Sequence, residues 1–341
     1  MHDVPVIFSG GGTGGHLYPA LALAEALVAR RPDVRPFFVG ATRGLEARIL
    51  PDTGYRHLLV DVRGLSRSRP WSNGGVLFDL IKAVGAVRKS FKTQAPALTV
   101  LTGGYAAAPA GLAAVMNRVP LVLQEQNSYP GVTTRLLARY AKQIHLAYPE
   151  AANRLPAKAR AQTLNSANPV RAFERIPRAE ARSRFGLPAE GVLVFVVGGS
   201  QGALGLNQIW LELIADVESG RLERPQDVRL LWVSGPKWED TVRGELEAMG
   251  SPSWVDLIGY VEDMEAALNA ADLAVSRAGA MTTSEYFTLS LPSILVPLPT
   301  SAEDHQSFNA RALEAAGASM HLPQRGLTPE RLEATLQELR E

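Results

Sequence analysis

The 341-residue sequence predicts an α/β protein of two Rossmann-like, doubly wound parallel-sheet domains facing a cleft. Three observations lead there. Short apolar runs alternate with helical periodicity along the whole chain, which implies parallel strands joined by crossover helices. A strand that empties into glycines and then a helix occurs twice, at Gly10–Gly15 and at Gly198–Gly202. Between the two series, from Pro149 to Gly191, the pattern lapses into short, charged sequence punctuated by Pro156, Pro169, Pro177 and Pro188. That stretch reads as a junction, and the division is set at 164/165.

In the first half, strands are predicted at Val4–Ser9, Arg35–Val39, His57–Val62, Leu98–Leu101, Pro120–Leu123 and Gln143–Ala147. The first helix is the run Tyr18–Arg31, whose apolar stripe includes Leu21, Ala24, Leu27 and Val28. The second half repeats the scheme with strands at Val192–Val197, Val228–Ser234, Trp254–Ile258, Asp272–Ser276 and Ser293–Pro297. Its helices include Leu204–Val217 and a terminal one at Pro329–Glu341. In such sheets ligands bind beyond the carboxyl ends of the strands, so every glycine-rich or polar loop after a strand points at the crevice.

Bulk composition removes several classes. A net charge of +1 without a block of like charge leaves no electrostatic footprint for nucleic acid. The chain has no cysteine, hence no disulfide or thiolate metal site, and its start, Met1-His2-Asp3-Val4, lacks the basic and apolar regions of a signal peptide. Both point to the cytoplasm. No uninterrupted apolar run is long enough to span a bilayer.

Gly10-x-Gly12-x-x-Gly15 fits the dinucleotide fingerprint, and its backbone N–H groups with the following helix start make a phosphate cradle. The acidic residue that should hold a ribose about 20 residues on is missing, because the second strand ends in Gly40-Ala41-Thr42-Arg43. An NADP site using Arg43 stays open on this ground. His16 stands where a P-loop has lysine, and a histidine there serves as a base or caps the turn. Thr102-Gly103-Gly104-Tyr105 and Arg277-Ala278-Gly279-Ala280 give each domain a second glycine-bearing helix start. Two cradles per domain suit transfer between two phosphorylated molecules.

Other polar clusters follow strands. Glu125, in Gln124-Glu125-Gln126-Asn127, either faces substrate or closes a loop; Glu285, early in a helix, either holds a diol or complements the helix dipole. Asp304-His305-Gln306 and Asn309 are solvated caps or partners for sugar hydroxyls. The histidines are scattered and no Asp-x-Asp pair occurs, so no metal is expected. The segment Val76–Val84 is more apolar than one packed face requires and is bracketed by Arg63, Arg67, Arg69, Arg88, Lys89 and Lys92. It is either a core helix with snorkelling cations or a patch for an anionic membrane.

Taken together, seven motifs in order resemble the bacterial GT-B N-acetylglucosaminyltransferases of peptidoglycan synthesis over nearly the whole chain. They are Gly11–His16 with Tyr18-Pro19, Gly103-Gly104-Tyr105, Glu125-Gln126-Asn127, Asn168-Pro169-Val170-Arg171, Gly198–Gly202 with Asn207, Ser276–Ala280 with Ser284-Glu285, and His305-Gln306 with Asn309-Ala310. The resemblance implies an inverting transfer of GlcNAc from UDP-GlcNAc to the 4-hydroxyl of MurNAc in undecaprenyl-linked lipid I, giving lipid II and UDP without a cofactor or metal. It implies a donor-binding second domain, 165–341. There Glu285 takes the ribose, Ser200 with Ala280, Met281 and Thr282 the diphosphate, and Arg171 the nucleotide end. Gln306 and Asn127 take the GlcNAc hydroxyls, the backbone near Val261 reads uracil, and Gln201 and His305 belong to the same site. The first domain, 1–164, would hold the acceptor through Thr13, Gly14, Gly15, His16, Gly104 and Tyr105, with His16 as base and Glu125 as its alternative or orienting group. Region 63–92 would rest on the cytoplasmic face of the cell membrane as a peripheral attachment, with wall-synthesis and division proteins as partners. A UDP-GlcNAc 2-epimerase is the rival enzyme, and a sugar-nucleotide binding protein the rival without turnover. Gln124 replaces the family's histidine and Ala167 its usual glycine. The chain ends at Glu341, short of the family's longer terminal extension, and a less tethered domain closure is expected from that.

Overall fold

The computed structural model describes residues 3–64, 73–170, 173–199, 202–224 and 227–340. The chain divides into two compact units, Met1–Arg171 and Ala172–Glu341. The expected division at 164/165 falls inside a strand of the first unit.

The first unit carries seven strands: β1 (Val4–Gly10), β2 (Val34–Ala41), β3 (Arg56–Val60), β4 (Leu98–Gly103), β5 (Leu121–Glu125), β6 (Gln143–Leu146) and β7 (Thr163–Asn165). All pairings are parallel, in the order β3-β2-β1-β4-β5-β6-β7. Its helices are α1 (Gly14–Arg30), α2 (Glu46–Ile49), α3 (Gly74–Gln94), α4 (Ala108–Met116), α5 (Val132–Leu137) and α6 (Ala157–Arg160). Strand alternation feeds two cores. Val6 and Phe8 pack with Leu17, Leu21 and Ala24 of α1, while Ile7 faces the opposite layer with Ala110, Ala113 and Ala114 of α4. The phenyl rings of Phe8 and Phe38 stack at 5.6 Å, and Tyr55 lies 5.3 Å from Phe38.

The second unit repeats this plan with β8 (Val192–Val197), β9 (Val228–Val233), β10 (Val255–Ile258), β11 (Leu273–Ser276), β12 (Ser293–Leu295) and β13 (Met320–His321). These run parallel in the order β10-β9-β8-β11-β12-β13. The helices are α7 (Arg178–Ser183), α8 (Leu204–Glu218), α9 (Glu239–Ala248), α10 (Met264–Ala270), α11 (Ala280–Leu289), α12 (His305–Ala315) and α13 (Pro329–Arg340). Val194 and Val196 face Trp210 of α8, and Phe195 and Val197 face Ala267 and Leu268 of α10. In both sheets the order reverses beside the first strand, between β1 and β4 and between β8 and β11, which places a ligand crevice at each switch point.

The predicted strands are all present, and two are added. β7 and β13 are three and two residues long, too short to register as apolar runs. α1 starts at Gly14 rather than Tyr18, because the glycines themselves form its first turn. The proline-rich junction is more ordered than its composition suggests. Within it, the fully buried Arg182 of α7 donates to Ala270 O at 3.0 Å, Ala189 O at 2.6 Å, Gly191 O at 3.1 Å and Asp272 Oδ2 at 2.5 Å.

On α3, Val76, Ala83, Val84, Val87 and Phe91 enter the core, whereas Leu77, Phe78 and Ile81 are each more than 60% exposed. One face of this helix is therefore core, and the other is apolar and exposed. Arg63 is paired with Asp79 at 2.7 Å, and Lys82 lies 5.1 Å over the Phe78 ring. Arg67 and Arg69 lie outside the described residues.

Because Phe38 joins two aromatic contacts in one core, Phe38→Ala is expected to cost about 3–5 kcal/mol of unfolding free energy, read as a lower urea midpoint.

Candidate active site

At the first switch point the loops after β1 and β4 interlock. Gly11 N donates to Gly103 O at 3.3 Å. A Cβ on Gly10 would lie 1.8 Å from Thr102 Oγ1, and one on Gly104 would lie 2.0 Å from Gly11 O. Gly12, Gly103 and Gly104 also hold φ of +89°, +94° and +78°, so these positions need glycine for conformation as well as for space. Tyr105 follows directly and lays its ring against Gly12. Burial first, and then the charge of Glu46, pushes the Tyr105 phenol up, so it stays protonated at neutral pH.

His16 sits in the first turn of α1, half-buried over these loops. Its Nδ1 is 3.0 Å from Thr102 O and 2.9 Å from Gln126 Oε1, and Thr102 Oγ1 donates to His16 O at 2.6 Å. The structure thus brings Thr13, Gly14, Gly15, His16, Gly104 and Tyr105 to one place. Glu125 is buried, and its carboxylate is engaged by its own loop. Its Oε1 accepts from Asn127 N at 3.1 Å and Asn127 Nδ2 at 3.2 Å, and its Oε2 from Gly131 N at 3.1 Å. Its carboxylate shapes the loop that presents Asn127.

In the second unit α11 begins at Ala280, directly beyond β11, so Ala280, Met281 and Thr282 form a helix amino terminus at the second switch point. Glu285 lies half-buried on the same helix. The start of α12 is tied to this place: Gln306 Oε1 accepts from Leu298 N at 2.9 Å, and Asn309 Nδ2 donates to Ala278 O at 3.2 Å. His305 is half-buried at that helix start, after Glu303 and Asp304, which both hold positive φ. Val261 packs its side chain into the core, leaving only its backbone for recognition. Arg171, Ser200 and Gln201 lie outside the described residues. Around them, Gly202 has φ +71°, and a Cβ there would lie 2.1 Å from Ser234 O. Gly202 is therefore packed against the end of β9 as Gly10 is against the end of β4.

In the sequence, Arg277 stands out only as part of the glycine-bearing helix start Arg277–Ala280. It is almost fully buried beyond β11 and donates to Val296 O at 3.0 Å, Pro297 O at 3.2 Å and Gln324 Oε1 at 2.6 Å. All three partners are neutral, and its Nε has none. Burial pulls this guanidinium down to about 10. Among the described residues no carboxylate offsets this desolvated cation, and an anion would do so. Among the described residues no group of three or more His, Asp or Glu is placed to hold a metal.

Comparison with known proteins matches the glycosyltransferase family 28 N-terminal domain to residues 6–146 and its C-terminal domain to residues 193–341. A Moorella thermoacetica protein named UDP-N-acetylglucosamine–N-acetylmuramyl-(pentapeptide) pyrophosphoryl-undecaprenol N-acetylglucosamine transferase is 39% identical over 98% of this chain and 90% of its own length. A Chlorobium phaeobacteroides protein of the same name is 40% identical over 92% of this chain and 84% of its own. Among solved structures, Acinetobacter baumannii MurG superposes with a TM-score of 0.77 at 28% identity, covering 99% of this chain and 91% of that one.

Glu46 gave no signal in the sequence, since it is one acidic residue in a polar loop. It is fully buried behind the first glycine loop, where its Oε1 accepts from Gly12 N at 3.0 Å and Ala41 N at 3.3 Å. Cβ atoms on Gly11 or Gly44 would strike it. Glu46→Ala strands two N–H groups and opens a cavity. It is expected to cost about 2–4 kcal/mol in denaturation and to speed amide exchange at Gly12.

Proposed function

The chain belongs to glycosyltransferase family 28, and from that membership we propose that it transfers GlcNAc from UDP-GlcNAc to lipid I, producing lipid II for peptidoglycan. The near-full-length likeness to the Moorella transferase carries this reading. The interlocked glycine loops with His16, and the helix start with Arg277, supply chemistry that suits it.

In the mechanism we propose, the MurNAc 4-hydroxyl attacks C1 of GlcNAc from the face opposite UDP. The C1–O4 bond forms as the C1–phosphate oxygen bond breaks, which inverts the linkage. His16 Nε2 takes the hydroxyl proton, because Nδ1 is engaged with Thr102 and Gln126. Negative charge grows on the departing diphosphate, where the amino terminus of α11 and the uncompensated Arg277 answer it. Donor recognition falls to Glu285 at the ribose, to Gln306 and Asn127 at the sugar hydroxyls, and to the backbone at Val261. Arg171, Ser200, Gln201 and His305 complete the donor set. Thr13, Gly14, Gly15, Gly104 and Tyr105 hold the acceptor's diphosphate, and Glu125 acts through the Asn127 loop.

Peripheral attachment at the cytoplasmic membrane face is part of this proposal. No described helix is long and apolar enough to cross a membrane. What supports attachment is α3, where Leu77, Phe78 and Ile81 stand exposed on a helix that also carries Lys82, Lys89 and Lys92. Other wall-synthesis and division proteins are the expected partners.

The test is UDP release from labelled UDP-GlcNAc with a lipid I analogue. Release that needs the acceptor supports the transferase, and release without it would indicate an epimerase or hydrolase. His16→Ala is expected to lower kcat about a hundredfold or more with the fold intact. Arg277→Met should weaken UDP binding, followed by calorimetry, by about tenfold or more. Replacing Leu77, Phe78 and Ile81 together with serine should release the protein from anionic vesicles while sparing turnover of a short-chain soluble acceptor.

A further inference from the structure

Gln126 is fully buried and takes part in a closed set of amide hydrogen bonds. Its Nε2 donates to Thr102 O at 2.7 Å, to Gln124 O at 3.3 Å and, closely, to the Gln124 side-chain carbonyl. Gln124 Nε2 donates to Asn168 Oδ1 at 2.9 Å, and Asn168 Nδ2 returns to Gln126 O at 3.1 Å. The Thr102 and Gln124 main-chain carbonyls only accept, so they fix which end of the Gln126 amide faces them. The nitrogen points to Thr102, and the oxygen is left pointing at His16.

That orientation determines the state of the imidazole. His16 Nδ1 lies between Gln126 Oε1 at 2.9 Å and Thr102 O at 3.0 Å, and neither oxygen carries a hydrogen. Nδ1 must therefore hold the proton, which leaves the lone pair on Nε2. We propose that Gln126 is a positioning residue for the transfer: it fixes the Nδ1–H tautomer of His16 and the plane of its ring, so that Nε2 meets the acceptor hydroxyl as a base. This rests on His16 being that base. Glu125 and Glu46 do not supply the same hold, since Glu125 is spent on Asn127 and Gly131 and Glu46 on Gly12 and Ala41; among the described residues Tyr105 is a further titratable group against this loop. Where many enzymes orient a histidine with a carboxylate, this chain uses a neutral amide steadied by two more amides. When Nε2 takes the proton, the cation is met by two carbonyl dipoles.

Nitrogen-15 NMR of the histidines, combined with steady-state kinetics, tests the proposal. Wild-type His16 should appear protonated on Nδ1. Gln126→Met, which keeps the bulk and removes both amide functions, should mix the tautomers and lower kcat about tenfold to a hundredfold without moving KM. Gln126→Glu restores an acceptor and places a negative charge beside Nδ1. The charged imidazole is then favoured, so the acid limb of the kcat profile should move to higher pH, with kcat partly recovered above it. Thermal melts of both variants separate folding losses from these readouts. A wild-type ring protonated on Nε2 would overturn the proposal, as would a Gln126→Met enzyme with unchanged tautomer and kcat. Undiminished turnover in His16→Ala would instead overturn the base assignment, whatever the ring's tautomer.

Discussion

The first unit depends on the closeness of two backbones. At the ends of β1 and β4 the chain passes itself with Gly11 N bonded to Gly103 O, and a single added Cβ at Gly104 would lie 2.0 Å from Gly11 O. Glycine loses more conformational freedom on folding than any other residue, so this contact costs entropy at every position it uses. In return, the carbonyl of Thr102 comes within reach of a side chain in the first turn of α1. Separate the loops, and His16 loses one of the two oxygens that define its ring.

Much of this was legible in the sequence, for a physical reason. Parallel strands buried on both faces leave continuous apolar runs, and loops that need positive φ leave glycine; both are local signatures. The alternation of apolar runs and helical stripes therefore marked eleven strands, and the glycine clusters marked both switch points. β7 and β13 escaped because strands that short carry no period. At the site, His16 and Tyr105 were visible as polar residues set in glycine. Gln126, Thr102, Glu46 and Arg277 acquire meaning only through partners distant in sequence, such as the 110 positions between His16 and Gln126. Glu125 stands between these cases. A carboxylate after a strand suggests chemistry, yet its own partners are Asn127 and Gly131, a short loop away.

The two units share a strand order but furnish their switch points differently. One presents an imidazole above packed glycines, the other a helix start backed by a guanidinium whose partners among the described residues are all neutral. In the proposed inverting displacement, the first would supply the proton acceptor and the second the anion seat. A fold used twice has thus been given opposite polar contents.

Arg182 bears on how the chain tolerates being cut. Its guanidinium joins the segment just after α7, through Ala189 and Gly191, to Ala270 and Asp272 at the edge of β11. Composition marks that segment as a connector, the usual target of a protease. Here a nick near Pro188 would leave both new ends held by one buried side chain. The fragments would stay together, and a domain boundary inferred from cleavage would be placed well past the true division of the chain.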